Sequence, residues 1–232
     1  MINKSQRTEV IEKLLDFGVE IPCPDGVIIE ENIKIGKGTL ILPNTIILGK
    51  TEIGENCIIG PNSYISDTII GKNTKLNNTQ SFSSRIGSGV TAGPFVHIRP
   101  DCIIADNVHI GNFVEVKNST VDEGSKLPHL LYVGDSDVGK DVNFGCGCVT
   151  VNYNGKNKFR TTVKDGAFIG CNTNLVAPVT VGENAFTAAG STITENVPDN
   201  ALAVARSKQT IKENWVNIKK PYKRQHNGEK NV

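Results

Sequence analysis

The sequence predicts an all-β fold, a parallel β-helix whose coils are built from six-residue units. Three observations support this prediction: aliphatic residues recur every six positions, turn-forming residues follow them at a fixed spacing, and aromatic residues make up only 6% of the chain. A period of six fits neither an amphipathic helix nor a hairpin meander, whereas hexapeptide periods are typical of β-helices. Three units would close one triangular coil, and coils ~4.8 Å apart would bury thin aliphatic layers that need few rings.

The aliphatic repeat begins at Ile35 and shows short slips where one stretch ends and the next begins. Its members are Ile35, Ile41, Ile47, Ile53, Ile59 and Ile65, then Ile70, Leu76 and Phe82, then Ile86, Ala92, Ile98, Ile104, Ile110 and Val116, and finally Val163, Ile169, Leu175, Val181, Thr187 and Ile193. Asn or Gly often falls three positions later, as at Asn44 and Asn62, and these residues adopt positive φ at little cost. Each unit is therefore predicted to be a short strand that ends in a tight turn.

The two ends of the chain lack this repeat and are predicted to be helical. The resulting divisions are residues 1–24, an N-terminal helix and linker, residues 25–205, the β-helix, and residues 206–232, a C-terminal helix and basic tail. The first helix is predicted over residues 6–17, with Ser5 as its N-cap and Gly18 just after its end. Its apolar stripe consists of Val10, Ile11, Leu14 and Leu15. The second helix is predicted over residues 207–219, and one of its sides carries Ile211, Trp215 and Ile218.

Charge and hydropathy exclude several partners and locations. The net charge is +1, which gives no general attraction to nucleic acid or to an anionic membrane. No run approaches the roughly 18 apolar residues of a membrane span, and residues 1–5 lack the apolar region of a signal peptide. The chain is therefore expected in the cytoplasm, with no nucleic-acid or membrane partner.

The six cysteines are scattered through a chain that is long enough to fold without a disulfide framework. Cys146 and Cys148 are the only close pair, and they are expected to be reduced thiols packed as small hydrophobes, with a metal or redox role left open. His97 and His109 each precede a member of the repeat, so both are expected to point outward. This disfavours a zinc site of three converging histidines.

Residues 86–158 contain the main departures from the repeat. The spacing is regular at first and then breaks twice, at residues 125–129 and 151–158. Side chains can leave a stacked wall where it breaks, so we expect the chemistry at these two places. His129 lies in the first break after Pro128, and an imidazole titrates near neutral pH, as a general base requires. A lone histidine is more often structural, and the residues alone leave that alternative open.

Arg99 and Lys117 are 18 residues apart, which is one full coil if the repeat holds. They would then stack on neighbouring coils at one corner of the prism. Two cations ~5 Å apart repel each other unless an anion lies between them. A sugar phosphate is such an anion, and arginine can bind it through two parallel hydrogen bonds. The alternative is a solvated pair of cations.

Five segments match a known family in order, namely residues 93–100, 105–118, 124–132, 151–155 and 174–179. Through them the chain resembles the C-terminal acetyltransferase domain of the bifunctional bacterial enzyme that makes UDP-N-acetylglucosamine. The resemblance implies a left-handed β-helix, a homotrimer with sites between adjacent prisms, and acetyl transfer from acetyl-CoA to the amine of glucosamine 1-phosphate. The family's uridyltransferase half would precede residue 1, and the sequence leaves open whether Met1 is the native start.

By resemblance, His129 is the general base of this reaction. The positions that match substrate-binding residues of the family are Arg99, Lys117, Tyr132, Asn143, Asn152, Tyr153 and Lys158. The positions that match acetyl-CoA-binding residues are Cys171, Ala189 and Arg206. The family has a serine at this first position. Cys171 keeps the backbone N–H donor of that serine but lacks its hydroxyl. No metal is expected for acetyl transfer. The loop at residues 151–158 could contribute to the site of its own subunit or to that of a neighbouring subunit.

Two other functions remain open on the sequence. The first is an acetyltransferase for another amino sugar phosphate, such as galactosamine 1-phosphate, because the same base and phosphate-binding residues would serve it. The second is a non-catalytic hexapeptide-repeat scaffold, because the repeat by itself requires no activity.

Overall fold

The computed structural model describes residues 4–219, which form a helix, a parallel β-solenoid of about ten coils and a second short helix. The elements are α1 (Lys4–Phe17), β1 (Ile28–Ile29), β2 (Lys34–Ile35), β3 (Leu40–Ile41), β4 (Ile46–Leu48), β5 (Glu52–Ile53), β6 (Ile58–Ile59), β7 (Tyr64–Ser66), β8 (Ile69–Ile70), β9 (Lys75–Leu76), β10 (Thr79–Phe82), β11 (Arg85–Ile86), β12 (Thr91–Ala92), β13 (Val96–Ile98), β14 (Ile103–Ile104), β15 (His109–Lys117), β16 (Thr120–Val121), β17 (Lys126–Gly134), β18 (Ser136–Val138), β19 (Asn143–Phe144), β20 (Val149–Val151), β21 (Thr161–Val163), β22 (Phe168–Ile169), β23 (Asn174–Val176), β24 (Val179–Val181), β25 (Phe186–Thr187), β26 (Thr192–Ile193), β27 (Leu202–Ala203) and α2 (Trp215–Lys219). The predicted parallel β-helix is confirmed, and its six-residue repeats are consistent with the left-handed form.

The coils form a prism with three faces, and a column of inward-facing side chains lies behind each face. The first column is Ile29, Ile47, Ile65, Ser81, Ile98, Val116, Val133, Thr150, Leu175 and Ile193. The second is Ile41, Ile59, Leu76, Ala92, Ile110, Leu127, Phe144, Ile169 and Thr187. The third is Ile35, Ile53, Ile70, Ile86, Ile104, Val121, Val138, Val163 and Val181. All of these residues are buried, and all but Ser81, Thr150, Thr187 and Phe144 are aliphatic, so the core is mainly a stack of aliphatic layers.

The predicted inward position of Phe82 is wrong, and Ser81 occupies it instead. Ser81 pairs with Ile65 on one neighbouring coil and with Ile98 on the other. Its hydroxyl lies 3.2 Å from the hydroxyl of Thr68, so the buried polar group has a partner. Phe82 turns outward and packs against Tyr64, with ring centroids 5.5 Å apart.

Helix α1 covers the first coils of the solenoid and ends as predicted at Phe17, with Gly18 just after it. Gly18 has a φ of 100°. Its N–H donates to Leu15 O at 3.0 Å, and the N–H of Val19 donates to Leu14 O at 2.9 Å. This is the Schellman arrangement, which glycine favours because it has no Cβ. The helix begins at Lys4, so the prediction of Ser5 as its N-cap is wrong. Ile11 and Leu14 are buried, whereas Leu15 is exposed.

The C-terminal helix begins much later than predicted, because within residues 207–219 only Trp215–Lys219 is helical. Ile211, Trp215 and Ile218 are all exposed, so no buried apolar face stabilises a helix over 207–219. The basic tail predicted beyond this helix lies in residues 220–232, outside the described residues. Within residues 4–219, no helix is long and apolar enough to cross a membrane.

Candidate functional site

His129 lies inside strand β17, and the predicted break at residues 125–129 is wrong. Leu127 pairs with Ile110, and His129 pairs with Asn112, so the strand is continuous here. The spacing slips because Leu127 follows Ile110 by 17 positions rather than by 18. The imidazole is exposed, and no hydrogen-bond partner reaches it from the part of the chain that the structure describes. It is therefore open to a ligand.

Three large apolar side chains form a ridge on the corner beside His129. Phe95, Phe113 and Leu130 are exposed and have φ values of 60°, 58° and 53°. The rings of Phe95 and Phe113 stack, with centroids 5.3 Å apart. A bulky residue in this left-handed conformation costs roughly 1–2 kcal/mol, so most other turns along this corner of the prism use Asn or Gly. Sequence reasoning missed the ridge, although each member stands where the repeat calls for Asn or Gly.

Arg99 and Lys117 lie on consecutive coils at one edge of the first face, as their spacing predicts. The register sets this position, because the preceding residues Ile98 and Val116 are paired. Each cation has a carboxylate partner on the coil above. Arg99 Nη1 lies 2.9 Å from a Glu115 oxygen, and Lys117 Nζ lies 2.9 Å from both oxygens of Asp135. The two cations thus avoid mutual repulsion in the unliganded chain.

Asp135 was not singled out from the sequence, yet it connects several predicted site residues. Its side chain is only 5% exposed and accepts hydrogen bonds from Lys117, from Asn118 Nδ2 at 2.5 Å and from Asn152 Nδ2. Burial alone would raise the pKa of Asp135, but these three donors outweigh it and hold the pKa below its ordinary value. Burial would likewise lower the pKa of Lys117, whereas the hydrogen bonds with Asp135 hold it above its ordinary value.

The second break is a β-hairpin that leaves the wall, as predicted. The N–H of Phe159 donates to Asn152 O at 2.8 Å, and Tyr153 pairs antiparallel with Lys158. Asn152 is buried at the base of the hairpin, and its Nδ2 lies 3.4 Å from the Tyr132 hydroxyl. Tyr153 is exposed, and the Lys158 side chain lies near that of Lys117. Five predicted residues therefore come together at this edge: Arg99, Lys117, Tyr132, Asn152 and Lys158.

Asn143 does not join this group, because it lies on the second face of the prism. It pairs with Lys126 below and Phe168 above, and its side chain points outward between theirs. His129 lies at the corner where the first and second faces meet, three residues before Tyr132 on β17. Within one chain the predicted substrate residues thus occupy two faces with the predicted base between them.

The positions predicted to bind acetyl-CoA extend along the corner of His129. The corner runs from Leu130 through Gly147 and Asn172 to Gly190. Backbone hydrogen bonds join successive coils along it: the N–H of Gly147 donates to Leu130 O at 3.1 Å, and the N–H of Gly190 donates to Cys171 O at 2.8 Å. Cys171 is exposed on this corner. Ala189 precedes Gly190, and the Arg206 side chain passes over Gly190. The predicted base and the predicted CoA residues therefore share one edge of the prism.

The paired cysteines differ in their surroundings. Cys148 is buried and its thiol donates to Gly170 O at 3.0 Å, and burial raises its pKa to about 11. Cys146 is half-buried. Over residues 4–219, no group of three or more His, Cys, Asp or Glu side chains is placed to hold a metal ion. Cys148 is thus packed as the small hydrophobe that the sequence predicts.

Gly111 supports the backbone that presents His129, and Gly111→Ala is expected to damage both stability and turnover. A Cβ at this position would lie 1.6 Å from the carbonyl oxygen of Pro128, so β17 would have to move away beside His129. We expect a loss of about 1–3 kcal/mol in the free energy of unfolding, together with a lower kcat in the remaining folded protein. Urea unfolding measures the first effect, and the rate of the acetyl transfer that the resemblance implies measures the second.

Gly87→Ala is the matched control for this substitution. A Cβ there would lie 2.7 Å from the backbone of Ala105, at a corner away from His129. It should lower stability but leave the kcat of the folded protein unchanged. A Gly111→Ala protein with unaltered kcat would contradict the supporting role of Gly111.

Comparison with known families finds the bacterial transferase hexapeptide model (six repeats) in this chain. It matches residues 32–67, 50–79, 83–118 and 160–195. These segments cover more than half of the chain and lie within the solenoid on both sides of the hairpin. The coils that carry Arg99, Lys117, Cys171 and Ala189 are thus among the matched repeats.

Curated relatives are similar over most of this chain. The bifunctional protein GlmU of Geobacillus sp. is 55% identical over 92% of this chain and 46% of its own length. The bifunctional protein GlmU of Clostridioides difficile is 50% identical over 92% of this chain and 46% of its own length. The chain therefore spans about half the length of these relatives. Among solved structures, an Arabidopsis UDP-N-acetylglucosamine acyltransferase is 16% identical over 81% of this chain and 70% of its own, with a TM-score of 0.44, which is too low to support an assignment.

Proposed function

Because the chain belongs to the bacterial transferase hexapeptide family, we propose that it moves acetyl from acetyl-CoA to the amine of glucosamine 1-phosphate. The product, N-acetylglucosamine 1-phosphate, would serve UDP-N-acetylglucosamine synthesis. One observation carries the proposal: the candidate base and CoA positions share a corner, and a cationic cluster lies at the far edge of the adjoining face. The identity with bifunctional relatives over nearly the whole chain supports the same assignment.

His129 acts as the general base in this proposal. Its imidazole takes a proton from the substrate amine while the amine nitrogen attacks the carbonyl carbon of the thioester. The tetrahedral oxyanion that results collapses, the carbon–sulfur bond breaks, and CoA leaves as a thiolate that then gains a proton. The transfer is direct and needs no covalent enzyme intermediate. The imidazole is exposed and has no hydrogen-bond partner among residues 4–219, which suits this role because a substrate amine can reach it.

The cluster around Lys117 receives the phosphate of the sugar. Arg99 and Lys117 each have a carboxylate partner, whereas the described residues place no carboxylate on Lys158. The cluster therefore has a net positive charge, which favours a phosphate dianion. Arg99 can donate two parallel hydrogen bonds to phosphate oxygens, and Tyr132 and Asn152 supply polar contacts for the sugar.

We propose further that the protein is a homotrimer with its sites between adjacent prisms. His129 and Tyr132 are three residues apart on one strand, on the order of 10 Å. In glucosamine 1-phosphate the amine at C2 adjoins the phosphate at C1, so the base must lie close to the phosphate cluster. A neighbouring prism can supply His129 and Asn143 opposite the cluster. The exposed ridge at Phe95, Phe113 and Leu130 is the kind of surface that such a neighbour would cover.

The corner beside Cys171 and Ala189 would take acetyl-CoA. Exposed backbone at this corner can donate to the amides of the pantetheine arm, and Arg206 supplies a cation for the CoA phosphates. Cys171 replaces a serine of the family, so this chain binds CoA there through its backbone without the hydroxyl.

Release of free thiol tests the proposed reaction. The purified protein is mixed with acetyl-CoA and glucosamine 1-phosphate, and a chromogenic disulfide reports CoA thiol as it forms. We expect steady release that depends on both substrates. Galactosamine 1-phosphate in the same assay distinguishes the alternative amino sugar. Absence of release with any amino sugar phosphate would reject the enzyme assignment and favour a scaffold.

A further inference from the structure

Asp135 is a buried carboxylate at the centre of the cationic cluster. It has positive φ, 49°, at the turn that ends β17, and both of its oxygens lie 2.9 Å from Lys117 Nζ on the preceding coil. Its two oxygens accept hydrogen bonds from Lys117 and Asn118 on the preceding coil and from Asn152 at the hairpin base. A buried carboxylate with three donors is rigid, because each lost bond would leave a charge unsolvated.

A second anchor holds the other end of the same hairpin. Arg160 Nε lies 2.9 Å from Asp137 Oδ2, and Arg160 Nη2 contacts the other oxygen of that carboxylate. Arg160 also donates to the carbonyl oxygens of Asn118 and Ser136, each at 3.1 Å. Residues 135–137 therefore hold the hairpin at both ends, through a buried carboxylate at Asn152 and through an exposed bidentate pair at Arg160.

We propose that Asp135 is a positioning residue that holds Lys117 and Asn152 in place to receive the sugar phosphate. This inference rests on the proposed function and adds to it a residue that makes no contact with substrate. Asp135 acts through its partners: it directs the Lys117 ammonium group toward the edge of the face, and it fixes the base of the hairpin that carries Tyr153 and Lys158. Arg160 and Asp137 serve the hairpin alone, since neither contacts Lys117.

Asp135→Asn is the variant that tests this role. Asparagine tolerates positive φ and matches the shape of aspartate, so the turn is kept. Its side-chain NH2 group is a donor, however, and it would face the donors of Lys117, Asn118 and Asn152 in place of an accepting oxygen. We expect the KM for glucosamine 1-phosphate to rise about 10- to 100-fold, the cost of one charged hydrogen bond. The KM for acetyl-CoA should stay within about twofold, because none of the side chains bonded to Asp135 belongs to the CoA corner.

Asp101→Asn is the matched control. Asp101 has a φ of 64° on the same corner two coils away, it is exposed, and its backbone N–H bonds to the preceding coil as that of Asp135 does. It should leave both KM values unchanged. Equal effects of the two substitutions would show that any change of charge at this corner suffices, and would overturn the proposal.

The pH dependence provides a readout that a purely structural role would not change. The charged and titratable groups facing Lys117 are Asp135, Lys158, Tyr132 and, one coil away, Arg99 with Glu115. Asp135 raises the pKa of Lys117 and burial lowers it, so removing the carboxylate lets Lys117 lose its proton at a lower pH. The ratio of the variant KM to the wild-type KM should therefore rise as the pH increases toward the ordinary lysine range, near ~10. A ratio that does not change with pH would count against the inference.

Hydrogen exchange of the hairpin keeps the test independent of activity. If Asp135 fixes Asn152, the amides of residues 152–159 should exchange faster in Asp135→Asn than in wild type or in Asp101→Asn. If the wild type is active, and Asp135→Asn has the same KM and the same hairpin amide exchange as the wild type, the positioning role is rejected and the proposed function stands. A wild type that releases no thiol, with faster hairpin exchange in the variant, would reject the function and retain the positioning of Asn152.

Discussion

His129→Ala is expected to slow acetyl transfer by about 100- to 10,000-fold, the usual contribution of a positioned general base. The substituted side chain is exposed and has no hydrogen-bond partner within residues 4–219, so its loss should leave the solenoid intact. Binding of acetyl-CoA, measured by calorimetry, should be unchanged, because the CoA positions lie further along the corner. The rate is measured by thiol release at saturating concentrations of both substrates.

His109→Ala is the control for this prediction. His109 is also exposed, and its Nδ1 lies 2.8 Å from the Thr91 hydroxyl on the second face. Its removal should change the rate little. If His109→Ala and His129→Ala reduced the rate equally, or if His129→Ala kept full activity, another group would have to serve as the base.

Phe144→Ala is expected to destabilise the protein by about 3–5 kcal/mol, the largest stability effect that we predict. Phe144 is the largest fully buried side chain of the described residues, 1% exposed, and it lies between the layers of Leu127 and Ile169. Aliphatic neighbours held in β-strands cannot collapse to fill the space of a lost ring. The midpoint of thermal unfolding should fall by about 2–4 °C per kcal/mol in a protein of this size.

Phe186→Ala shows whether this loss comes from burial. Phe186 is about half exposed, and its ring stacks on that of Phe168 with centroids 5.2 Å apart. Its removal should cost only about 1 kcal/mol, the worth of an aromatic pair on a surface. Both variants are compared with wild type at one protein concentration, because assembly would make the midpoint concentration-dependent. Equal losses in the two variants would contradict the assignment of Phe144 to the core.

The repeat in the sequence was sufficient to predict the coils, because each layer is local. An inward residue such as Ile98 touches mainly the residues one coil away, so a six-residue period specifies which side chains are buried. The same reasoning placed Arg99 one coil below Lys117, since a full coil returns the chain to the same corner. The helix end at Gly18 was also predictable, because the need for positive φ is visible in one residue.

The errors arose where neighbouring coils decide the outcome. Phe82 is the more apolar residue, but the register between two adjacent coils puts Ser81 inside. The spacing at residues 125–129 suggested a break, yet β17 stays paired with β15 because the coil is only one residue short. A helix over 207–219 had a suitable pattern but lacks a surface to bury it against, so only its last turn forms.

The sequence by itself determined the fold class, the aliphatic layers and the one-coil spacing of the two cations, because these follow from short-range periodicity. The tertiary structure alone decided how the site is held together. Asp135, Asn118 and Asn152 belong to different segments, and only coil stacking and the hairpin bring their polar groups into contact. A buried carboxylate needs such donors from several coils, and no spacing within one repeat reveals them.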